Sequence, residues 1–326
     1  MLPDSLGQIA RGFQASRVLL TAVELDLFTA VGSGSTAAEV AVRLSADTRA
    51  VEMLLNALVA LGLLTKEGAT FRNSPDSARY LSDHSPDSHR LATMHSVRMW
   101  DSWSTMTQCV RTGTKVERPD TGAQAEDWTE SFIEAMARNA AERAPHLIEA
   151  VNAAGVRRML DVGGGPGAYS IAFAQSEPSL RADILDKPEV LAIARRHIEA
   201  AGLSDRIGLI EGDLTADGLG EGYDLVLLSN ICHMLSPKEN RDLLRRGGQA
   251  LVRNGRIVIQ EFVLNADRTS PVPAALFALN MLVATANGNS YTEGEYETWL
   301  REAGFEGIKR VELPGRSDLI IAMLAD

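Results

Sequence analysis

Between Arg158 and Ala174 the chain reads R-M-L-D-V-G-G-G-P-G-A-Y-S-I-A-F-A, and this stretch constrains the fold more than any other. The apolar run Met159 to Val162 breaks into Gly163, Gly164, Gly165, Pro166 and Gly167, and helical spacing resumes through Ile171, Ala172 and Phe173. A strand, a turn bare of side chains and a helix start are predicted. Glycines permit positive φ and close approach of a ligand, while the following helix offers free N–H groups at its positive end. A nucleotide-like cofactor is the natural occupant. Gly163, Gly165 and Ala168 also satisfy the dinucleotide spacing, and Asp186 follows near the ~20-residue distance of a ribose-binding acid. By themselves the glycines therefore leave a nicotinamide-dependent oxidoreductase open.

Beyond the glycines, strands and helices alternate. Strands are predicted at Arg181 to Leu185, Ile207 to Glu211, Tyr223 to Ser229 and Arg256 to Phe262, with helices at Val190 to Ala201 and Lys238 to Leu251. Helices Ala274 to Ala286 and Glu293 to Ala303 follow, then strands Gly307 to Glu312 and Asp318 to Met323. Unbroken apolar runs such as Leu225 to Leu228 suit strands buried on both faces of a parallel sheet, so a doubly wound α/β class is expected. The last two strands are joined only through Pro314-Gly315-Arg316, too short for a crossover helix, and must be antiparallel to each other.

The first half of the chain has a different pattern. Residues 6 to 31 carry helical apolar spacing, and Ser35 to Glu39 form a capping box in which either Ser35 or Thr36 could cap. A helix from Thr48 to Leu61 and a hairpin of Leu63 to Thr65 with Thr70 to Arg72 around Gly68 complete the order of a winged helix. Such a module raises a ligand-sensing DNA-binding regulator as an alternative. The segment Asp47 to Leu61, however, has only Arg49 as a base against Asp47 and Glu52, whereas a groove reader needs an exposed basic face. Burial in a protein interface fits better. Residues 91 to 112 form an aromatic- and methionine-rich amphipathic stretch, Gly113 to Asp127 reads as a loop, and Phe132 to Val151 as a helix. A domain boundary is expected near residue 150, giving domains 1–150 and 151–326.

A formal charge of −11 argues against a nucleic-acid partner and points to a small molecule. Cys109 and Cys232 lie far apart without metal-ligand spacing, so neither a disulfide framework nor a metal is expected. No leader pattern and no membrane span are apparent, so the reading is cytoplasmic with no membrane partner.

In such sheets ligands sit at the carboxyl ends of the strands. Four strand ends stand out: Gly163 to Gly167, Asp186, Asp213 and the segment Ser229 to His233. Asp186 could accept both ribose hydroxyls or cap the next helix, and Asp213 could accept from an adenine amino group or simply close a turn. Taken together, L-D-V-G-G-G-P-G (160 to 167), L-D-K-P-E-V (185 to 190), E-G-D-L (211 to 214), S-N-I-C-H-M-L-S (229 to 236) and A-G-F-E-G (303 to 307) give the chain a family likeness. It resembles the S-adenosylmethionine-dependent small-molecule O-methyltransferases of the plant caffeate and bacterial polyketide type. That resemblance covers almost the whole chain. It implies a Rossmann-like seven-stranded sheet with an antiparallel last strand, preceded by a mainly helical winged-helix domain that forms a homodimer.

The resemblance further implies that Gly163 and Gly165 line the methionine portion of the cofactor, that Asp186 holds the ribose, and that Asp213 and Leu214 hold the adenine. Ser229 joins this cofactor set, S-adenosyl-L-homocysteine is the product, and His233 falls at the family's catalytic base. Methyl transfer from a sulfonium is an in-line displacement, so proximity and a deprotonated acceptor are what an enzyme supplies, and an imidazole suits that proton transfer. Two departures appear. Met234 and Leu235 follow His233 where relatives commonly have an acid, and Ser290 stands where they have a glutamate that orients the histidine. A missing carboxylate would leave the imidazole less well oriented, which keeps N- or C-methylation open. For a flat, hydrophobic acceptor the expected lining is Met99, Trp103, Phe132, Met136, Asn139, Asn280 and Met281.

Overall fold

A computed structural model of the chain describes residues 3–117 and 123–325. Within the helix that begins at Ala123, the side chains of residues 123–132, 134, 135, 138 and 139 lie outside that description. Two compact units emerge, Met1–Asp101 and Ser102–Asp326, so the boundary expected near residue 150 falls inside the second of them.

In the first unit, the helical spacing over residues 6 to 31 is divided between α1 (Asp4–Glu24) and α2 (Leu27–Val31). The break has a local cause. Asp26 takes a left-handed backbone, φ 54°, which a helix interior does not tolerate, and its carboxylate accepts from Arg90 Nε at 2.9 Å. Next come β1 (Ser35–Thr36), α3 (Ala37–Leu44), α4 (Thr48–Ala60), β2 (Leu64–Glu67), β3 (Thr70–Asn73) and α5 (Pro75–Tyr80). Thr36, rather than Ser35, makes the capping box with Glu39. Ser35 instead pairs with Phe71 in a three-stranded wing of order β1-β3-β2. Val51, Leu55 and Leu58 of α4 are buried against Leu27, Phe28 and Val31 in one core, so α4 is held by its apolar face. Helix α6 (Arg90–Trp103) sends Val97 into that core with Met94 and Trp100 packed at its edge, and three members of the methionine-aromatic stripe are thereby packing residues.

The second unit opens with α7 (Met106–Thr112) and α8 (Ala123–Val151), the latter starting within the segment expected to be a loop. Then β4 (Arg158–Val162), α9 (Ala168–Ser176), β5 (Arg181–Asp186), α10 (Pro188–Ala200), β6 (Ile207–Glu211) and β7 (Tyr223–Ser229) alternate. A single 3-10 turn, Cys232–Met234, leads into α11 (Pro237–Ala250), β8 (Leu251–Glu261), α12 (Val272–Ala284), α13 (Glu293–Glu302), β9 (Phe305–Val311) and β10 (Asp318–Leu324). The seven strands lie in the order β6-β5-β4-β7-β8-β10-β9. Strands β4 to β8 pair in parallel, whereas β10 is antiparallel to both β8 and β9, as the short Pro314–Arg316 connection requires.

Leu225, Val226, Leu227 and Leu228 are fully buried, which explains the unbroken apolar run: successive side chains enter the cores on opposite faces of the sheet. Each such side chain contributes roughly 1.5–3 kcal/mol of burial. Chain order reverses between the neighbouring strands β4 and β7, and a crevice opens outside their carboxyl ends at such a switch point. Among the described residues no helix is long and apolar enough to cross a membrane.

Candidate active site

The glycine turn after β4 is shaped by two positions that exclude a side chain for different reasons. Gly163 has φ +66°, and a Cβ there would come within 2.3 Å of Ile231 Cδ1 and 3.4 Å of Leu214 Cδ2. Gly165 has φ +56°, yet a Cβ would meet nothing within 4 Å. One glycine is thus required by packing and the other faces open space at the end of β4. Beneath the turn, Asp161 accepts from Ser170 Oγ at 2.8 Å, and burial pushes its carboxyl up to about 7.

Asp186, at the end of β5, reaches across to the turn. Its Oδ2 accepts from Gly165 N at 2.9 Å and its Oδ1 from Lys187 N at 2.8 Å. Burial raises its pKa, opposed by those same N–H donors. Each carboxylate oxygen retains a further lone pair, so the group can still accept from a pair of vicinal hydroxyls. Asp213, after β6, is exposed, and its Oδ1 accepts from both the N–H (2.8 Å) and hydroxyl (2.6 Å) of Thr215. Those bonds, the hydroxyl first, hold its pKa below the usual range, and neither of them uses Oδ2. Leu214 leans over Gly163 and so joins the third strand end to the first. Ser229 Oγ donates to Gln260 Oε1 at 2.9 Å and accepts from Asn230 Nδ2 at 3.1 Å.

His233 lies in the 3-10 turn that follows β7 and is 8% exposed. Its Nδ1 is 2.9 Å from Oε2 and 3.1 Å from Oε1 of Glu261, the last residue of β8, which is 1% exposed. The same carboxylate accepts from the His233 backbone N–H at 3.1 Å, and the His233 carbonyl accepts from Asn289 N at 2.9 Å. Asn240 Nδ2 further pins the turn by donating to the carbonyls of Cys232 (2.9 Å) and Leu235 (3.2 Å). A carboxylate only accepts, so in a neutral imidazole this contact selects the tautomer with the proton on Nδ1 and the lone pair on Nε2. The sequence-based expectation of a missing orienting carboxylate is therefore corrected: Glu261 supplies it from the adjacent strand. Ser290 is buried, and its Oγ has no hydrogen-bond partner among the described residues.

Aromatic rings close the other side of the imidazole. Phe277, on α12, stands perpendicular to His233 with centroids 4.8 Å apart, and stacks on Phe262 at 3.9 Å. One turn along α12, Asn280 Oδ1 accepts from Trp103 Nε1 at 3.0 Å, which brings together two of the residues expected to line the acceptor site. Met281 is buried and Met136 half-buried. Met99 is half-buried in the first unit. The side chains of Phe132 and Asn139 lie outside the described residues. Phe262, Phe277 and Glu261 were not on the sequence-based list. Glu261 had a signal, a charged residue at the end of a strand, R-I-V-I-Q-E-F, whose middle Ile257 to Ile259 is apolar.

Residues 117–306 match the model of the O-methyltransferase domain, and residues 8–83 that of the O-methyltransferase dimerisation domain. The chain is 37% identical to 3-hydroxy-5-methyl-1-naphthoate 3-O-methyltransferase of Streptomyces sahachiroi, over 99% of this chain and 96% of that protein. It is 30% identical to the tetracenomycin polyketide synthesis 8-O-methyl transferase TcmO of Streptomyces glaucescens, over 98% and 96% respectively. Among solved structures, human N-acetylserotonin methyltransferase in complex with SAM superposes with a TM-score of 0.88 at 27% identity, covering 99% of this chain and 97% of that one.

Proposed function

The chain belongs to the O-methyltransferase family with its dimerisation domain, and from that premise we propose that it moves a methyl group from S-adenosylmethionine to a hydroxyl of a small aromatic, polyketide-like acceptor, with His233 as general base. The observation that carries the reading is the His233–Glu261 pair at the carboxyl edge of the sheet, beside a glycine turn and two acidic strand ends. Gly163 and Gly165 would admit the methionine portion, Asp186 would take the ribose hydroxyls, and Asp213 Oδ2 with Leu214 and Ser229 would frame the adenosine. Those residues fit such a group: the turn leaves room above Gly165, and Asp186 keeps acceptor capacity. When bound, the cofactor supplies an electrophilic methyl on a sulfonium.

The protein's own contribution is to orient the acceptor and to receive a proton. As the acceptor hydroxyl loses its proton to Nε2 of His233, the imidazole becomes cationic, and the Glu261 carboxylate 2.9 Å away stabilises that charge in a dry setting. Phe262 and Phe277 would exclude water from the transfer and face a flat acceptor. Met99, Trp103, Phe132, Met136, Asn139, Asn280 and Met281 complete the proposed acceptor lining. In this reading residues 1–150 serve dimerisation and acceptor binding, residues 151–326 hold the cofactor, and the working form is a homodimer.

Calorimetry with S-adenosylhomocysteine and with NAD, followed by a methyl-transfer assay on hydroxynaphthoates, tests the proposal. Tight S-adenosylhomocysteine binding and an O-methylated product are expected. Binding of NAD alone would overturn it.

A further inference from the structure

We infer that Trp103 locks the Asn280 amide as a donor-only subsite, so that the acceptor is a hydroxyarene bearing a second, anionic or carbonyl oxygen that Asn280 Nδ2 recognises. The inference rests on the proposed aromatic-hydroxyl function and deepens it. An indole N–H can only donate, so the atom of Asn280 that it meets at 3.0 Å must be the amide oxygen. With that oxygen engaged, what Asn280 retains for a ligand is its two N–H donors. Among the described residues Nδ2 has no hydrogen-bond partner, and Asn280 is half-buried.

Placement follows from the helix. Phe277 and Asn280 are three residues apart on α12 and so share a face about one turn, ~5 Å, apart. Phe277 packs on the ring of His233, which puts the Asn280 amide on the side of α12 that faces the base. A second tie, from Thr114 Oγ1 to the Ala286 carbonyl at 3.2 Å, holds the segment after α7 against the end of α12. Aromatic rings flank one end of this space, and a fixed pair of N–H donors marks the other. A planar molecule with its hydroxyl at His233 and a carboxylate or ring carbonyl about one ring-width away meets both. An arene lacking that oxygen would displace water from these half-buried donors and leave them unpaired, which is how a hydrogen-bonding site rejects an analogue.

The test compares 3-hydroxy-1-naphthoate with 2-naphthol, which has the same rings and hydroxyl without the carboxylate. Affinities are measured by titration calorimetry on the full-length protein saturated with S-adenosylhomocysteine, so the readout is independent of turnover. The expected result is a preference of about tenfold or more for the carboxylate in the native chain, as one charge-assisted hydrogen bond supplies. In Trp103→Phe, which keeps the ring and removes the N–H, the amide is free to turn and the preference collapses toward unity. In Asn280→Asp, which presents no donor, it inverts. An unchanged ratio in Trp103→Phe, or no preference in the native chain, overturns the inference. A preference as expected, with no methyl transfer to either probe, would instead count against the proposed function and leave the subsite standing.

Discussion

His233 Nδ1 lies 2.9 Å from Oε2 of Glu261, a residue 28 positions further along the chain, and the carboxylate also holds the His233 backbone N–H. His233 sits in the turn that follows β7 and Glu261 ends β8, and these neighbouring parallel strands finish side by side at the sheet's carboxyl edge. If this contact sets the tautomer, Glu261→Gln should be severe although it changes little in shape. A glutamine can offer its NH₂ to Nδ1, which moves the imidazole proton to Nε2 and removes the base. A fall in kcat approaching that of His233→Ala, ~10²–10⁴-fold, is expected, with S-adenosylhomocysteine affinity retained. The double variant should be little worse than either single one, because the residues act as a unit. Retention of kcat in Glu261→Gln would show that the imidazole does not depend on the carboxylate.

The glycine turn offers a rescue experiment. Gly163→Ala and Gly165→Ala both place a side chain at positive φ, a strain of roughly 1–2 kcal/mol each. Only at position 163 does the new methyl collide, with Ile231 Cδ1 at 2.3 Å. Ile231→Val deletes that atom. It should therefore recover part of the stability of Gly163→Ala and none of that of Gly165→Ala, as measured by urea denaturation. Cofactor affinity should fall in Gly165→Ala because its Cβ enters the open space, and unchanged S-adenosylhomocysteine binding there would remove Gly165 from the cofactor set.

These two sites also show where sequence reasoning reached and where it stopped. The glycine turn, the acids closing β5 and β6 and the histidine after β7 are encoded in contiguous residues, so local spacing places each at a strand end. Buried parallel strands were legible for the same reason: a run such as Leu225 to Leu228 has no polar face to present. The partnership of His233 with Glu261 is not local. It depends on strand order, and an expectation aligned along the chain looked for the carboxylate at Ser290 and missed the one on the adjoining strand. Similarly, the break at Asp26 turns on a single left-handed residue that apolar periodicity does not register. Trp103 and Asn280 were each proposed from side-chain type, but that one consumes the hydrogen-bonding capacity of the other requires the packed helices.

Asp161 predicts a pH dependence of stability. Its carboxyl, ordinarily near 3.8, is pushed up to about 7 by burial beneath the glycine turn. Between those values the folded chain keeps a proton that the unfolded chain releases, so stability is lost as pH rises through that window and levels off above it. Asp161→Asn cannot titrate and still offers an oxygen to Ser170. Relative to the native chain its urea midpoint should therefore improve as pH rises from 5 to about 7 and level off by pH 8, measured without cofactor. A constant difference across that range would mean that Asp161 is ionised in the fold throughout.

The exposed face of α1 bears on assembly. Leu6, Ile9 and Phe13 are 52%, 79% and 58% exposed, and their spacing sets them along one side of the helix. Leaving three large apolar groups in water on one ridge is unfavourable by about 25 cal/mol per Å² of apolar area, so a second copy that covers them gains that burial on both sides of a twofold contact. Residues 8–83 match the family's dimerisation domain, which places Ile9 and Phe13 within it. The variant Ile9→Glu/Phe13→Glu sets like charges against each other across such a contact without touching the core made by Leu20, Ala22 and Val23. Sedimentation equilibrium should find the native protein at twice the 35.2 kDa chain mass and the variant at that mass. If the native protein sediments as a single chain at micromolar concentration, α1 is not the dimer contact; if the charged variant remains a dimer, the contact lies on another face of the domain.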